Sequence, residues 1–102
     1  MAKTIIWSAR ADNDLFDILD YWANRNRSDV YSIKLKGLID DCVNLIAELP
    51  DIGKPTGIPN LRLKILRDYL IFYNVSADHL EIITIWDSRR NPKKLSDILK
   101  RI

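Results

Sequence analysis

The segment from residue 61 to residue 92 constrains the fold more than any other part of the chain, because it reads as three short strands joined by tight turns. In its first part, Leu61, Leu63 and Ile65 alternate with basic residues, which predicts a strand that buries these three side chains on one face. Two further apolar runs follow at residues 69–75 and 80–86. The connections are too short for a parallel crossover, so the sequence predicts an antiparallel meander whose middle strand is covered on both faces.

The third run ends in a basic segment that leads into a helix. Arg89 and Arg90 come directly after the predicted strand, and Asn91 followed by Pro92 is a strong signal for the start of a helix, with Asn91 as its N-cap. The apolar residues beyond recur with helical spacing at Leu95, Ile98, Leu99 and Ile102. The chain is therefore predicted to close with a short amphipathic helix.

The first half of the chain reads as one strand and two amphipathic helices. The strand runs from Lys3 to Trp7, Ser8 is predicted to cap the first helix, and Ser28 is predicted to cap a second helix that Pro50 ends. The first helix is expected to bury Leu15, Ile18, Leu19 and Trp22 and to expose Asp12, Asp14, Asp17 and Asp20. The apolar stripe of the second consists of Tyr31, Leu35, Leu38, Cys42, Leu45 and Leu49, widened by Ile39 and Ile46.

These elements define the expected fold class. The two helices are joined by a short polar loop, so they form an αα-hairpin whose apolar side covers the sheet. The predicted architecture is α+β in the order β-α-α-β-β-β-α, with a small antiparallel sheet and residues 1–102 as a single domain.

Charge and cysteine content indicate which kind of partner and which cellular compartment to expect. Residues 1–53 carry six Lys/Arg against nine Asp/Glu, whereas residues 54–102 carry ten against five, so the second half is basic. This asymmetry suggests an acidic partner or nucleic acid, although a solvated charged sheet face explains it equally well. Cys42 is the single cysteine, and no apolar run approaches the ~20 residues of a membrane span. We therefore expect a cytoplasmic protein without an intrachain disulfide.

Most catalytic constellations are absent from the sequence. It has no zinc-binding spacing, no dinucleotide fingerprint and no nucleophile elbow, and its one histidine, His79, is expected to be an exposed turn residue. We expect neither a metal nor an organic cofactor. What remains is a basic set interleaved with aromatic residues, of which Tyr73 and Trp86 are expected in the core. The set comprises Arg62, Lys64, Arg67, Arg89, Arg90, Lys93 and Lys94, with Tyr69, Tyr73 and Trp86.

The order and spacing of these motifs resemble the RelE/ParE toxins of bacterial type II toxin–antitoxin systems. The residues that carry the resemblance are Trp7-Ser8, the A-x-x-D-L-x-x-I pattern of residues 11–18, Tyr21-Trp22, Gly53-Lys54-Pro55, Leu61-Arg62, residues 67–73 (RDYLIFY) and residues 85–92 (IWDSRRNP). The resemblance covers nearly the whole chain. It implies a compact toxin, built from a helical hairpin against a curved antiparallel sheet, that a cognate antitoxin neutralises.

The family resemblance implies one of two activities. ParE-like members poison DNA gyrase, whereas RelE-like members cut mRNA on the ribosome with basic side chains and a tyrosine on the last helix. This chain has Leu70 and Leu95 where the nuclease pattern has an arginine and that tyrosine, and its hairpin is long, as in ParE-like toxins. The prediction is therefore a ParE-like growth inhibitor that is not an enzyme, with an mRNA endonuclease or a detoxified relative as the alternatives.

The resemblance also assigns candidate site residues. If the chain were a nuclease, Arg67, Arg89, Lys64 and Tyr69 would form its catalytic set. The residues expected to contact gyrase or RNA are Arg62, Lys64, Arg89, Arg90, Lys93 and Lys94. The antitoxin is expected to bind Arg89, Arg90, Lys94, Leu95, Ile98 and Leu99, with an acidic, amphipathic segment lying over the basic face or beside the last helix.

Overall fold

The computed structural model describes residues 2–100, which form three helices and five strands. The strands are β1 (Thr4–Trp7), β2 (Lys54–Pro55), β3 (Leu61–Leu66), β4 (Tyr69–Val75) and β5 (His79–Asp87). The helices are α1 (Ala9–Asn26), α2 (Val30–Glu48) and α3 (Pro92–Leu99), with a 3-10 turn at Pro50–Ile52. The α+β class and the order of the main elements are as predicted, and the two-residue β2 is an addition. Ile102 of the predicted last helix lies outside the described residues.

The five strands form one mixed sheet in the order β1-β5-β4-β3-β2. The pairs β3–β4 and β4–β5 are antiparallel, which confirms the meander. β1 lies parallel to β5, with Thr4 opposite His79 and Trp7 opposite Ile82. The sheet is therefore antiparallel only in part, because the helical hairpin between β1 and the meander is long enough to return the chain for a parallel pairing.

Two of the three helix caps predicted from the sequence are present in the structure. Ser8 Oγ accepts a hydrogen bond from the backbone N–H of Ala11 (3.0 Å) and donates one to the carbonyl of Ile83 (2.7 Å), so it both starts α1 and ties it to β5. Asn91 caps α3 by accepting from the N–H of Lys93 (2.9 Å). The prediction for Ser28 was wrong by one residue: the N-cap of α2 is Asp29.

The sheet separates two hydrophobic cores. The helix-side core lies between the sheet and the α1–α2 hairpin, and it contains Leu35, Ile39 and Ile46 of α2 against Tyr73, Ile82 and other residues of β4 and β5. The α3-side core lies on the opposite face. It consists of Leu61, Phe72, Ile83 and Trp86, covered by Leu63, Leu70, Leu95, Ile98 and Leu99. β4 therefore lies between two apolar layers, as its continuous apolar run predicted, and β5 does so as well.

Three apolar positions were predicted on the buried side and are exposed. Leu45 and Leu49 lie at the outer side of α2, because the buried stripe of that helix is centred on Leu35, Ile39, Val43 and Ile46. Ile65, which continues the alternation of β3, is 50% exposed, since the α3-side core ends before it. Periodicity identified the correct elements but not the limits of the surfaces that cover them.

Candidate functional site

The candidate site is the end of the sheet where the β3–β4 turn meets the end of β5. Leu66 pairs with Tyr69 across the turn, Tyr69 pairs with Asp87, and the N–H of Ser88 donates to the carbonyl of Asp68 (2.8 Å). Arg67 occupies the turn with φ 54°, a left-handed conformation that is uncommon for a residue other than glycine. The topology thus brings Arg67 to the same end of the sheet as Arg89.

Arg89 is clamped by Asp87. Its Nε donates to Asp87 Oδ1 (2.9 Å), its second guanidinium nitrogen donates to Oδ2 (2.8 Å), and its backbone N–H donates to Oδ1 (2.9 Å). These bonds from Arg89 lower the pKa of Asp87 below its usual range. The bidentate pair neutralises Arg89 locally, so this side chain would have to leave Asp87 before it could hold a phosphate with both of its nitrogens.

Arg90 stacks on the indole of Trp86. Its guanidinium carbon lies 4.4 Å from the ring centroid, a distance at which cation–π attraction operates. Trp86 itself is buried in the α3-side core, as predicted. Lys93 and Lys94 follow as exposed residues in the first turn of α3. Together, Arg90, Lys93 and Lys94 form an exposed cationic surface at the junction of β5 and α3, which we call the junction surface.

Tyr69 is part of the core rather than an open reactive group. It is 3% exposed, and its hydroxyl accepts a hydrogen bond from Trp22 Nε1 (2.7 Å). Burial raises the pKa of the Tyr69 phenol, with the bond from Trp22 acting in the opposite direction. The phenol is therefore protonated at neutral pH and is poorly suited to act as a general base.

Arg62 and Lys64 do not join the residues at the β5 end. Arg62 donates to the carbonyl of Gly53 (2.6 Å) and approaches the carboxylate of Asp51 (3.6 Å), so it braces the connector that precedes β3. At about 3.3 Å per residue, it lies roughly 16 Å along the strand from Arg67. Lys64 lies on β3 near Cys42. Burial raises the pKa of the Cys42 thiol, and the charge of Lys64 acts in the opposite direction. The basic set thus divides into two groups.

A cleft of about 360 Å³ separates α1 from this end of the sheet. Its walls consist of Asp14, Asp17, Ile18 and Tyr21 on α1 and of Tyr69, Ile85, Asp87, Arg89 and Arg90 on the sheet side. Asp14 was expected to be solvated with the other acidic residues of α1. Instead its Oδ2 accepts from the hydroxyl of buried Thr84 and from the N–H of Ile85 (3.2 Å). A threonine within the apolar run of β5 was the signal for this contact, because a buried hydroxyl needs a partner.

The exposed charged groups at the end of β5 and the start of α3 are mainly cationic. Across residues 2–100, no three His, Cys, Asp or Glu side chains are grouped to hold a metal ion, and His79 is exposed at the start of β5. In the same part of the chain, no helix is long and apolar enough to cross a bilayer. The geometry presents an exposed cationic surface beside a neutralised ion pair and a buried phenol. It suits recognition of an acidic surface.

Comparison with known proteins identifies both the fold and the family of this chain. A solved structure described as the chromosomal ParDE toxin–antitoxin system from P. aeruginosa matches with a TM-score of 0.71 at 19% sequence identity, covering 82% of this chain and 94% of that chain. Comparison with curated proteins gives no match. Residues 5–92 match the family model described as the ParE toxin of the type II toxin–antitoxin system parDE. The chain belongs to the ParE toxin family.

Proposed function

We propose that this protein inhibits growth by poisoning DNA gyrase, and that a cognate antitoxin neutralises it. The observation that carries the proposal is the match of residues 5–92 to the ParE toxin family, which spans the hairpin, the meander and, of the junction surface, Arg90. The proposal makes the protein an inhibitory binder without an active site of its own. It acts in the bacterial cytoplasm, where gyrase and a cognate antitoxin would meet it.

The junction surface is the proposed contact with gyrase. Arg90, Lys93 and Lys94 are exposed. The stacking on Trp86 orders the guanidinium of Arg90, and the cap at Asn91 fixes the start of the helix that carries the two lysines. Ordered cations cost less conformational entropy on binding than free side chains do. Arg89 can join this surface only if a group on the partner replaces Asp87 in the ion pair with Arg89.

RNA cleavage is supported less well by the contacts. Arg67 and Arg89 lie at one end of the sheet, as a nuclease would require, but the Asp87 carboxylate holds Arg89 and the Tyr69 phenol is buried against Trp22. Losing a positioned proton-transfer group typically costs about 10²–10⁴ in rate. A nuclease on this scaffold would have to rearrange both side chains.

The antitoxin is proposed to bind at α3. Leu95, Ile98 and Leu99 are only half-buried, and beneath them lie Phe72 and Trp86 of the α3-side core. An acidic, amphipathic segment could add to this apolar seam, or replace α3 on it, while its carboxylates pair with Arg90 and Lys94. Charge reversal at Arg90 and Lys94 should then weaken the complex at least tenfold, whereas charge reversal at exposed Lys34 on α2 should not. A complex of unchanged affinity would contradict this placement.

A paired assay on the purified protein tests the function. One reaction measures gyrase supercoiling and cleavage-complex formation, and the other measures mRNA cuts by primer extension in a translating extract. We expect gyrase poisoning with intact mRNA. The double variant Arg90→Glu/Lys94→Glu should lose it, and Lys34→Glu should retain it.

Each other outcome overturns the proposal in a different way. Normal gyrase with codon-phased mRNA cuts would identify a nuclease. Normal gyrase, intact mRNA and no growth defect on induction without the antitoxin would identify a detoxified relative that is retained as a binding protein.

A further inference from the structure

The outer edge of β1 has unpaired backbone groups. The N–H of Thr4 donates to the Asp78 carbonyl (3.1 Å) and the N–H of Ser8 donates to the Ile82 carbonyl (3.0 Å), so every second residue, including Ile6, directs its backbone groups towards β5. The N–H and C=O of Ile5 and Trp7 therefore point away from the sheet. Within residues 2–100 they form no hydrogen bond to a turn, a loop or a side chain.

This edge lacks two of the features that usually prevent strands from pairing between molecules. The sequence of β1 is Thr-Ile-Ile-Trp, without a charge or a proline, and the side chain of Ile6 is 42% exposed. At the other edge of the sheet, β2 is two residues long and consists of Lys54 and Pro55. Lysine, proline and shortness are the common protections of an edge strand, so the two edges differ in kind.

We propose that a second copy of this chain pairs with β1 in antiparallel orientation, about a two-fold axis at Ile6. In this register Ile5 of one copy faces Trp7 of the other, and these are the two residues whose backbone groups are free. Each such pair exchanges two hydrogen bonds, and the two Ile6 residues form the non-hydrogen-bonded pair between them. The match needs no offset, which favours a second copy over an unrelated extended peptide. This proposal is independent of the gyrase proposal.

The side chains around β1 fit the same occupant. Ile5 and Trp7 face α2 and line a cavity of about 330 Å³ with Asp40, Val43 and Asn44. The Ile5 and Trp7 side chains of the second copy would lie on this face of the joined sheet and extend the cavity's apolar floor. Asp40, at the rim, is already paired with Lys36 (2.7 Å), which reduces repulsion between the two copies.

Disulfide trapping tests the register. In a non-hydrogen-bonded antiparallel pair the Cα atoms lie about 4.5 Å apart, within the range that a disulfide spans. Ile6→Cys, in a Cys42→Ala background, should therefore form a covalent dimer under mild oxidation. The matched control is Ile65→Cys in the same background, because Ile65 is an isoleucine of similar exposure near the opposite edge. We expect the Ile6→Cys variant to cross-link at least tenfold faster.

A non-covalent measurement complements the trapping. By sedimentation equilibrium, the chain should associate reversibly. Ile6→Lys should weaken association at least tenfold, because it places two like charges directly opposite each other, and Ile65→Lys should leave it unchanged. Equal cross-linking of the two cysteine variants would overturn the proposal. So would a chain that stays monomeric at all concentrations, or Ile6→Cys variants that cross-link only to a bound antitoxin.

Discussion

The hydroxyl of Tyr73 should contribute more to stability than any other single polar group on the sheet. Tyr73 is fully buried, and its hydroxyl accepts from the N–H of Gly53 (2.9 Å) and donates to the carbonyl of Pro50 (2.7 Å). These two bonds fix the turn between α2 and the meander to the centre of β4. Tyr73→Phe removes the oxygen atom and leaves the ring in place, so it isolates the bonds from the packing.

The expected loss follows from the two groups that the variant leaves unpaired. Gly53 is buried, so its N–H incurs the full penalty of an unsatisfied donor, whereas half-buried Pro50 can pair its carbonyl with water. A buried unsatisfied group costs about 1–3 kcal/mol, so Tyr73→Phe should reduce the free energy of unfolding by about 2–3 kcal/mol. That is a large fraction of the roughly 5–15 kcal/mol by which a domain is stable.

Urea unfolding measures this loss. With a slope of about 2 kcal/mol per M, the midpoint should fall by about 1 M or more at unchanged slope. Tyr21→Phe is the matched control, because the Tyr21 side chain is half-exposed, and it should leave the midpoint unchanged. A midpoint for Tyr73→Phe equal to that of Tyr21→Phe would refute the reasoning, because the hydroxyl would then satisfy neither group.

A double-mutant cycle with Gly53 tests the same contact from the other side. A Cβ at Gly53 would lie 2.7 Å from the Leu63 carbonyl oxygen and closer still to the Tyr73 hydroxyl, so Gly53→Ala should destabilise strongly. Part of that clash disappears when the hydroxyl is absent. The losses for Gly53→Ala and Tyr73→Phe should therefore be less than additive, by about 0.5 kcal/mol or more. Strict additivity would mean that the two groups do not touch.

Three further changes follow from individual contacts. Gly37→Ala should raise the free energy of unfolding by about 0.5–1 kcal/mol in urea, because Gly37 lies within α2 with open space around its Cβ position; a loss would show that the space is filled. Thr84→Val should lower the free energy of unfolding by about 1–2 kcal/mol, since Asp14 loses a donor, and an unchanged urea midpoint would count against that bond. The pKa of Asp87 is lower in the folded than in the unfolded state, so its contribution to stability is present at neutral pH and is lost as the pH falls below about 4. Carbon-13 NMR titration should show this depressed pKa, and Arg89→Ala should return it towards its ordinary value; an identical titration in both proteins would exclude the clamp.

The basic segment at the candidate site could be found from the sequence, but the ion pair and the hydrogen bond that hold its neighbouring side chains could not. The segment from Arg89 to Lys94 was identified as a basic junction after a strand and before a helix, and the structure has that junction. The clamp on Arg89 was missed although Asp87 is two residues away, because a short spacing allows an ion pair without requiring one. The partner of Tyr69 was also missed, since Trp22 is 47 residues distant and meets it only after the hairpin packs on the sheet.

The sequence by itself determined the local elements of this protein. Alternation and helical spacing depend on neighbouring residues, and so do the caps at Ser8 and Asn91. The meander, the hairpin and the last helix could therefore all be predicted from the sequence. The tertiary structure decided which surfaces are covered and which charges are free. It placed β1 parallel to β5, left Ile65 and Leu49 exposed, paired Asp14 with Thr84, and separated Arg62 from Arg89. These outcomes depend on contacts between residues far apart in the chain, and such contacts form only when whole elements pack together and displace water.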